Sequence, residues 1–207
     1  VASQSGTPVS LHGTGGAWLV AAADAPRERF TAAVLHSLDR KVCNTLNVCA
    51  IVTARAAELV PLFLDTVRSA ATGRHAGGRV HVTPAAAAFV PEAARIERAE
   101  VARADGFHDE PFVSEIALDE LGHEWEWEGS PEVTLHVVAD VDEAVALCNE
   151  HSPRFVASLI SESAAEQARF FAIVDAPFVG DGFTRWVDGQ YALDTPELGL
   201  SNWESGR

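Results

Sequence analysis

A chain of 207 residues, 47% of them apolar, has enough material for one sizeable core, and no apolar run of 18 residues is present to span a membrane. Thirty acidic against fifteen basic side chains leave a formal charge of −15, with no cationic cluster to meet a nucleic-acid backbone. Three cysteines (Cys43, Cys49 and Cys148) form neither a disulfide framework nor a C-x-x-C metal site; with no signal-like N-terminus they point to a reducing cytoplasm.

In chain order, Ala17 to Ala22 reads as a buried strand after a glycine turn, Gly13-Thr14-Gly15-Gly16. Asp24 is placed to cap a helix with Pro26 in its first turn, on which Phe30, Val34 and Leu38 recur at four-residue spacing. Lys41 to Thr45 is a short loop, Leu46 to Thr53 a β-prone run, and Ala54 to Ala71 a helix with Pro61 inside it, which predicts a kink or a later start. Arg79 to Thr83 alternates like a strand. Between 84 and 130 the pattern weakens: strands are expected near Glu100 to Arg103 and Phe112 to Ala117. Glu124-Trp125-Glu126-Trp127-Glu128 alternates acid with aromatic, as if one face packs and the other is wet.

The rhythm then returns, with a strand at Glu132 to Ala139, a helix at Val141 to Glu150, a strand at Phe155 to Ile160, a helix at Ser163 to Val174 and a short strand at Pro177 to Gly180. Strands alternating with helices of this length predict an α/β fold, a three-layer arrangement with a mostly parallel sheet flanked by helices. No methionine occurs, not even at position 1, as expected of a chain cut from a longer one, and the sole lysine is Lys41 against fourteen arginines.

Three segments carry candidate chemistry. Cys43 lies in a loop between helix and strand, preceded by Arg40 and Lys41, and nearby cations favour the nucleophilic thiolate; the plain alternative is a small core cysteine, which is the reading for Cys49 and Cys148. The glycine turn lacks both the G-x-G-x-x-G and the P-loop pattern and leads into a strand, so it reads as a tight backbone approach rather than a nucleotide cradle. Gly180 to Gly189 follows a strand end, where open α/β sheets place ligands, and offers Arg185 as a planar fork for carboxylate or phosphate, with Thr184 and Asp188 as polar helpers. The plain alternative there is a structural turn. The eight histidines form no metal-ligand pair, though His12 stands beside the glycine turn.

These segments, in this order, resemble the aldehyde dehydrogenase superfamily, and within it the gamma-glutamyl phosphate reductase branch. Val42-Cys43-Asn44-Thr45 is similar to that branch's Val-Cys-Asn-Ala, with a glycine turn about thirty residues earlier. Thr184-Arg185-Trp186-Val187-Asp188-Gly189 is similar to its Thr-Arg-Phe-Thr-Asp-Gly. Val141 to Ala144 and Leu198 to Ser201 also fit, while residues 84 to 130 align poorly.

The resemblance implies that residues 1–207 are the nucleophilic-cysteine catalytic domain, without the dinucleotide-binding domain that precedes it in the family and without the C-terminal tail. It implies NADPH-dependent reduction of gamma-glutamyl phosphate to glutamate-5-semialdehyde, the proline-biosynthesis reaction, through a thioester on Cys43. Asn44 and Lys41 would support the oxyanion and the loop, Arg185, Thr184, Asp188 and His12 would bind substrate, and Glu126 or Glu128 would meet the cofactor ribose. NADP would be held mainly by the missing half, the isolated chain would be inactive, and the whole protein would be a homo-oligomer acting on a small acyl phosphate or aldehyde.

The sequence departs from the family at several points. The glutamate base of hydrolytic members stands as Leu11, and Arg-Pro-Ser before Val-Cys stands as Asp39-Arg40-Lys41. An ungapped count to the ribose glutamate lands on Trp127. Two other readings stay open: another NAD(P)-dependent aldehyde dehydrogenase or acyl-CoA reductase, and a non-catalytic relative serving as an interaction module.

Overall fold

A computed structural model describes residues 14–185 of the chain. Its elements in order are β1 (Ala17–Ala21), α1 (Arg27–Ser37), β2 (Leu46–Val52), α2 (Thr53–Thr72), β3 (Arg79–Val82), the short helices α3 (Pro84–Ala87) and α4 (Glu92–Ile96), β4 (Arg98–Arg103), β5 (Gly106–Pro111), β6 (Val113–Glu115), β7 (Glu132–Val138), α5 (Val141–His151), β8 (Val156–Ile160), α6 (Ala164–Ile173) and β9 (Phe178–Gly180). Seven strands form one sheet in the order β6-β3-β7-β2-β1-β8-β9, and every pairing in it is parallel. The expected three-layer α/β architecture is what the chain adopts.

The layers follow from side-chain alternation on strands buried on both faces. Leu19 and Ala21 of β1, Cys49 and Ile51 of β2 and Leu135 of β7 pack with Phe30 and Val34 of α1 and Leu59, Phe63 and Val67 of α2. Trp18 and Val20, Val48 and Ala50, and Val138 turn the other way, onto Val141, Val145 and Cys148 of α5 and Phe170 of α6. Pro61 lies inside an unbroken α2. Asp24 does not cap α1, whose N-cap is Pro26; its carboxylate accepts instead from the Glu162 amide at 3.0 Å.

The poorly patterned middle is an antiparallel hairpin, β4 with β5, of which the sequence showed only the first strand. It is tied to the sheet by charge. Glu132, at the start of β7 and almost fully buried, is met by Arg79 Nη1 at 3.0 Å, Arg103 Nη1 at 2.8 Å and His81 Nε2 at 3.1 Å. Arg79 and Arg103 also hold Glu110 of β5. Burial works against a charged Glu132, but the hydrogen bonds from His81 and Arg103, with their charges, outweigh it and bring its pKa from 4.5 to about 2. The His81 ring stacks on Trp125 with centroids 3.5 Å apart.

In a parallel sheet all strand N-termini share one edge. The segments before β1, β2, β7 and β8 therefore meet there: Thr14–Gly16, Lys41–Thr45, 122–131 and 152–155. Among the described residues no helix is long and apolar enough to cross a membrane, and no cluster of three metal-ligating side chains exists.

Candidate active site around Cys43

Cys43 stands at this edge in a tight turn of hydrogen bonds. Thr45 N donates to Val42 O at 3.0 Å, Val42 N donates to Thr45 Oγ1 at 2.8 Å, and Thr45 Oγ1 donates to Arg40 O at 2.6 Å. The threonine thus closes the loop on which the cysteine rides. Cys43 is partly exposed, unlike the fully buried Cys49 and Cys148, and it packs against the cluster of Ala17, Phe155 and Val156, as does Phe178, whose ring meets that of Phe155 edge-on at 5.4 Å. Burial pushes the Cys49 thiol well above its ordinary value and the Cys148 thiol up to about 11, so neither is disposed to ionise.

The glycine turn is docked on the cysteine. Gly16 N donates to Cys43 O at 2.7 Å. A Cβ on Gly15 would lie 2.8 Å from Cys43 Cα, 2.9 Å from Cys43 O and 2.7 Å from Glu124 Oε1, closer than side chains can approach. Gly16 has φ +108°, a region side chains rarely adopt. The sequence reading of this turn as a close backbone approach is what the geometry shows.

Glu124 reaches the same place from the 122–131 segment. It accepts from Gly15 N at 2.6 Å and from Lys41 Nζ at 2.7 Å, with Lys41 9% and Glu124 15% exposed. Sequence reasoning passed over Glu124 because it looks like one more acid on the wet face of an alternating run. Trp127 is indeed buried and Glu126 and Glu128 exposed, but Glu124 turns inward because Asn47 captures the backbone around it. Asn47 Nδ2 donates to His123 O at 2.8 Å, and its Oδ1 accepts from Trp125 N at 3.0 Å.

Arg185 is wholly buried. Its Nε donates to Asp39 Oδ1 at 2.7 Å and its Nη1 to Asn44 Oδ1 at 2.5 Å, so two nitrogens of the fork are taken by the end of α1 and the residue after Cys43. The segment starts at the strand C-termini, where β9 ends and where a ligand site is expected from its sequence. The chain then turns back along α1: Arg29 near the start of that helix holds Asp181 at 2.7 Å, and Ser37 at its end accepts from Thr184 N at 2.9 Å. Arg185 is thereby delivered to the opposite edge, beside the cysteine. Asn44, Lys41, Arg185 and Thr184 are brought together; His12 and Asp188 lie outside the described residues. A groove of about 500 Å³ along the outside of α1, lined by Arg29, His36 and Phe183, does not include Cys43.

Glu126 and Glu128 lie in the loop before β7. Glu126 Oε1 is 4.0 Å from Lys41 Nζ, and both glutamates border a hollow of about 620 Å³ with Arg103 and Trp127.

No protein-family model matches the chain. Over 92 residues it is 32% identical to the gamma-glutamyl phosphate reductase of Geobacillus kaustophilus (strain HTA426), a stretch that makes up 44% of this chain and 22% of that protein. The crystal structure of gamma-glutamyl phosphate reductase from Thermotoga maritima superposes with a TM-score of 0.77 at 18% identity, covering 98% of this chain and 43% of that one. The chain is similar to gamma-glutamyl phosphate reductases and has the aldehyde dehydrogenase fold. An NAD-dependent benzaldehyde dehydrogenase from Corynebacterium glutamicum shares that fold at TM-score 0.54 and 18% identity, covering 93% of this chain and 44% of its own. The chain thus spans less than half the length of the reductase and the dehydrogenase it superposes on, and its match to the Geobacillus reductase about a fifth of that protein.

Proposed function

We propose that residues 1–207 are the thiol-bearing part of an NADPH-dependent reductase of gamma-glutamyl phosphate, forming glutamate-5-semialdehyde. The observation that carries this reading is the position of Cys43: the one partly exposed cysteine, on a loop fastened to a glycine turn, in a chain similar to reductases of that name.

The Cys43 thiolate attacks the acyl carbon; the carbon–oxygen bond to phosphate breaks and phosphate leaves with the electron pair, giving a thioester. A nicotinamide cofactor, when bound, supplies the hydride that takes the thioester to the aldehyde level. Breaking the carbon–sulfur bond then releases the aldehyde and restores the thiolate. Arg185 and Thr45 keep the thiol loop in one shape throughout, a matter of orientation rather than of substrate contact. Phosphate is the leaving group, so no base is needed to activate water, in keeping with Leu11 at the position of the hydrolytic glutamate.

The residues described here suit part of the cofactor. Glu126 is exposed beside Lys41 at the thiol's edge, where its carboxylate can accept from sugar hydroxyls. The glycine turn leads into β1 rather than a helix, so it offers no helix N-terminus for a pyrophosphate. A separate dinucleotide-binding half is part of the proposal, and this chain alone should bind NADPH no more tightly than millimolar by calorimetry.

The test follows NADP⁺ reduction by the full-length protein with glutamate-5-semialdehyde, with and without phosphate, beside Cys43→Ala. Activity that needs both phosphate and Cys43 is expected. Activity that needs Cys43 but not phosphate overturns the acyl-phosphate assignment in favour of another aldehyde dehydrogenase. A folded protein without activity overturns the catalytic assignment for this substrate.

A further inference from the structure

We propose that Glu124 is a positioning residue for the Cys43 thiol: it locks the glycine turn onto the thiol loop and balances Lys41, and the Lys41–Glu124 pair sets how readily Cys43 ionises. This rests on the reading of Cys43 as the reactive group.

The geometry is specific. Glu124 divides its two oxygens, Oε2 to the Gly15 amide at 2.6 Å and Oε1 to Lys41 Nζ at 2.7 Å. Glu124 Oε1 and Cys43 Cα both lie within 2.8 Å of the point where a Gly15 Cβ would stand, so the carboxylate and the cysteine backbone both crowd the same face of the glycine turn. Both partners of the pair are largely withdrawn from water, where screening is weak and a charge left without its partner acts strongly on its neighbours. Other charged groups placed against this loop are Arg40 and Asp39 on its own strand of chain, Arg185 on Asp39 and Asn44, and Glu126, 4.0 Å from Lys41. Phe155 and Phe178 contribute only apolar surface.

Removing one member of the pair leaves the other's charge uncompensated at the loop that carries the thiol, so the two removals act with opposite sign. A role confined to holding the loop predicts the same sign for both, since either would loosen it.

The rate of Cys43 alkylation by iodoacetamide against pH, read by peptide mass spectrometry on the full-length protein, separates these. Glu124→Gln keeps one oxygen to accept from the Gly15 amide; it loses the charge and the acceptor that meets Lys41 Nζ. Near neutral pH it should label Cys43 about twofold or more faster than the parent, while Lys41→Met should be about threefold or more slower. The smaller gain reflects Glu126, close enough to take over part of the Lys41 charge. The double variant should return towards the parent profile. Both single changes shifting labelling in one direction, or neither shifting it in folded protein, would overturn the proposal.

Should Glu124→Gln unfold, rapid labelling of Cys49 and Cys148 will reveal it. Lys41→Arg against Lys41→Met then carries the test: the arginine should stay near the parent, and equal slowing by both overturns the idea. Labelling uses no substrate and no cofactor, so failure of the acyl-phosphate reading would leave these outcomes unaltered.

Discussion

Arg185 Nη1 and Asn44 Oδ1 lie 2.5 Å apart across 141 positions of sequence, and through this contact the end of the described chain holds the loop that carries Cys43. The same guanidinium is bonded to Asp39, where α1 gives way to that loop. The thiol loop is therefore gripped from the tail, from the glycine turn and from Glu124, while Thr45 stitches it from within.

Arg185→Ala should destabilise the protein by about 2–4 kcal/mol in urea unfolding, because it leaves a buried amide oxygen and a partly buried carboxylate without this donor. Asn44→Ala should cost less, about 1–2 kcal/mol. A double-mutant cycle should return a coupling of about 1 kcal/mol or more. Additive losses would mean that the contact contributes little to stability.

Gly15→Ala should cost about 2 kcal/mol or more, since its methyl would meet the Cys43 backbone and the Glu124 carboxylate at under 3 Å. Thermal unfolding measures this directly. A fully stable Gly15→Ala protein would show that the turn and the thiol loop are not pressed together as described.

Acidification should destabilise the fold in two stages. Burial holds the His81 pKa below its ordinary 6.5, against the pull of Glu132, so the unfolded chain takes up that proton first and stability falls as pH drops below 6.5. Glu132 is lowered to about 2 from 4.5, so its contribution, roughly 3 kcal/mol, is present above pH 4.5 and is lost between 4.5 and 2. Urea midpoints across pH 7 to 3 should show both stages, and Glu132→Gln should flatten the lower one. An unchanged lower stage in that variant would place the acid sensitivity elsewhere.

Labelling of the folded protein near pH 7.5 should modify Cys43 alone. Cys49 and Cys148 are buried with raised thiol pKa values and should react only on unfolding. Equal labelling of all three in native protein would remove Cys43 as the distinguished thiol.

The elements were legible wherever burial imposed a single period. Strands β1, β2 and β7, buried along their whole length, and helices α1 and α2, with Phe30–Val34 and Leu59–Phe63–Val67, lie close to where hydrophobic spacing put them. The hairpin was legible only in part because Gly106–Pro111 is exposed over most of its length, so no apolar alternation marks it. At the site, Cys43 stood out by its loop and its basic neighbours. Glu124 did not, because in sequence it is indistinguishable from Glu126 and Glu128 and its inward turn depends on Asn47, 77 positions earlier.

The sequence by itself determined the layers and the parallel sheet, because these follow from local periodicity, and it offered Cys43 as a candidate through its loop, its basic neighbours and the family resemblance. The tertiary structure alone decided what surrounds the thiol. A parallel sheet gathers its strand N-termini on one edge whatever their separation in sequence, and that edge is where Gly15, Lys41, Glu124 and Arg185 converge. The strand-end rule sent Arg185 to the wrong edge, because it does not register that the chain after β9 doubles back along α1 from Asp181 to Thr184 before the guanidinium is buried.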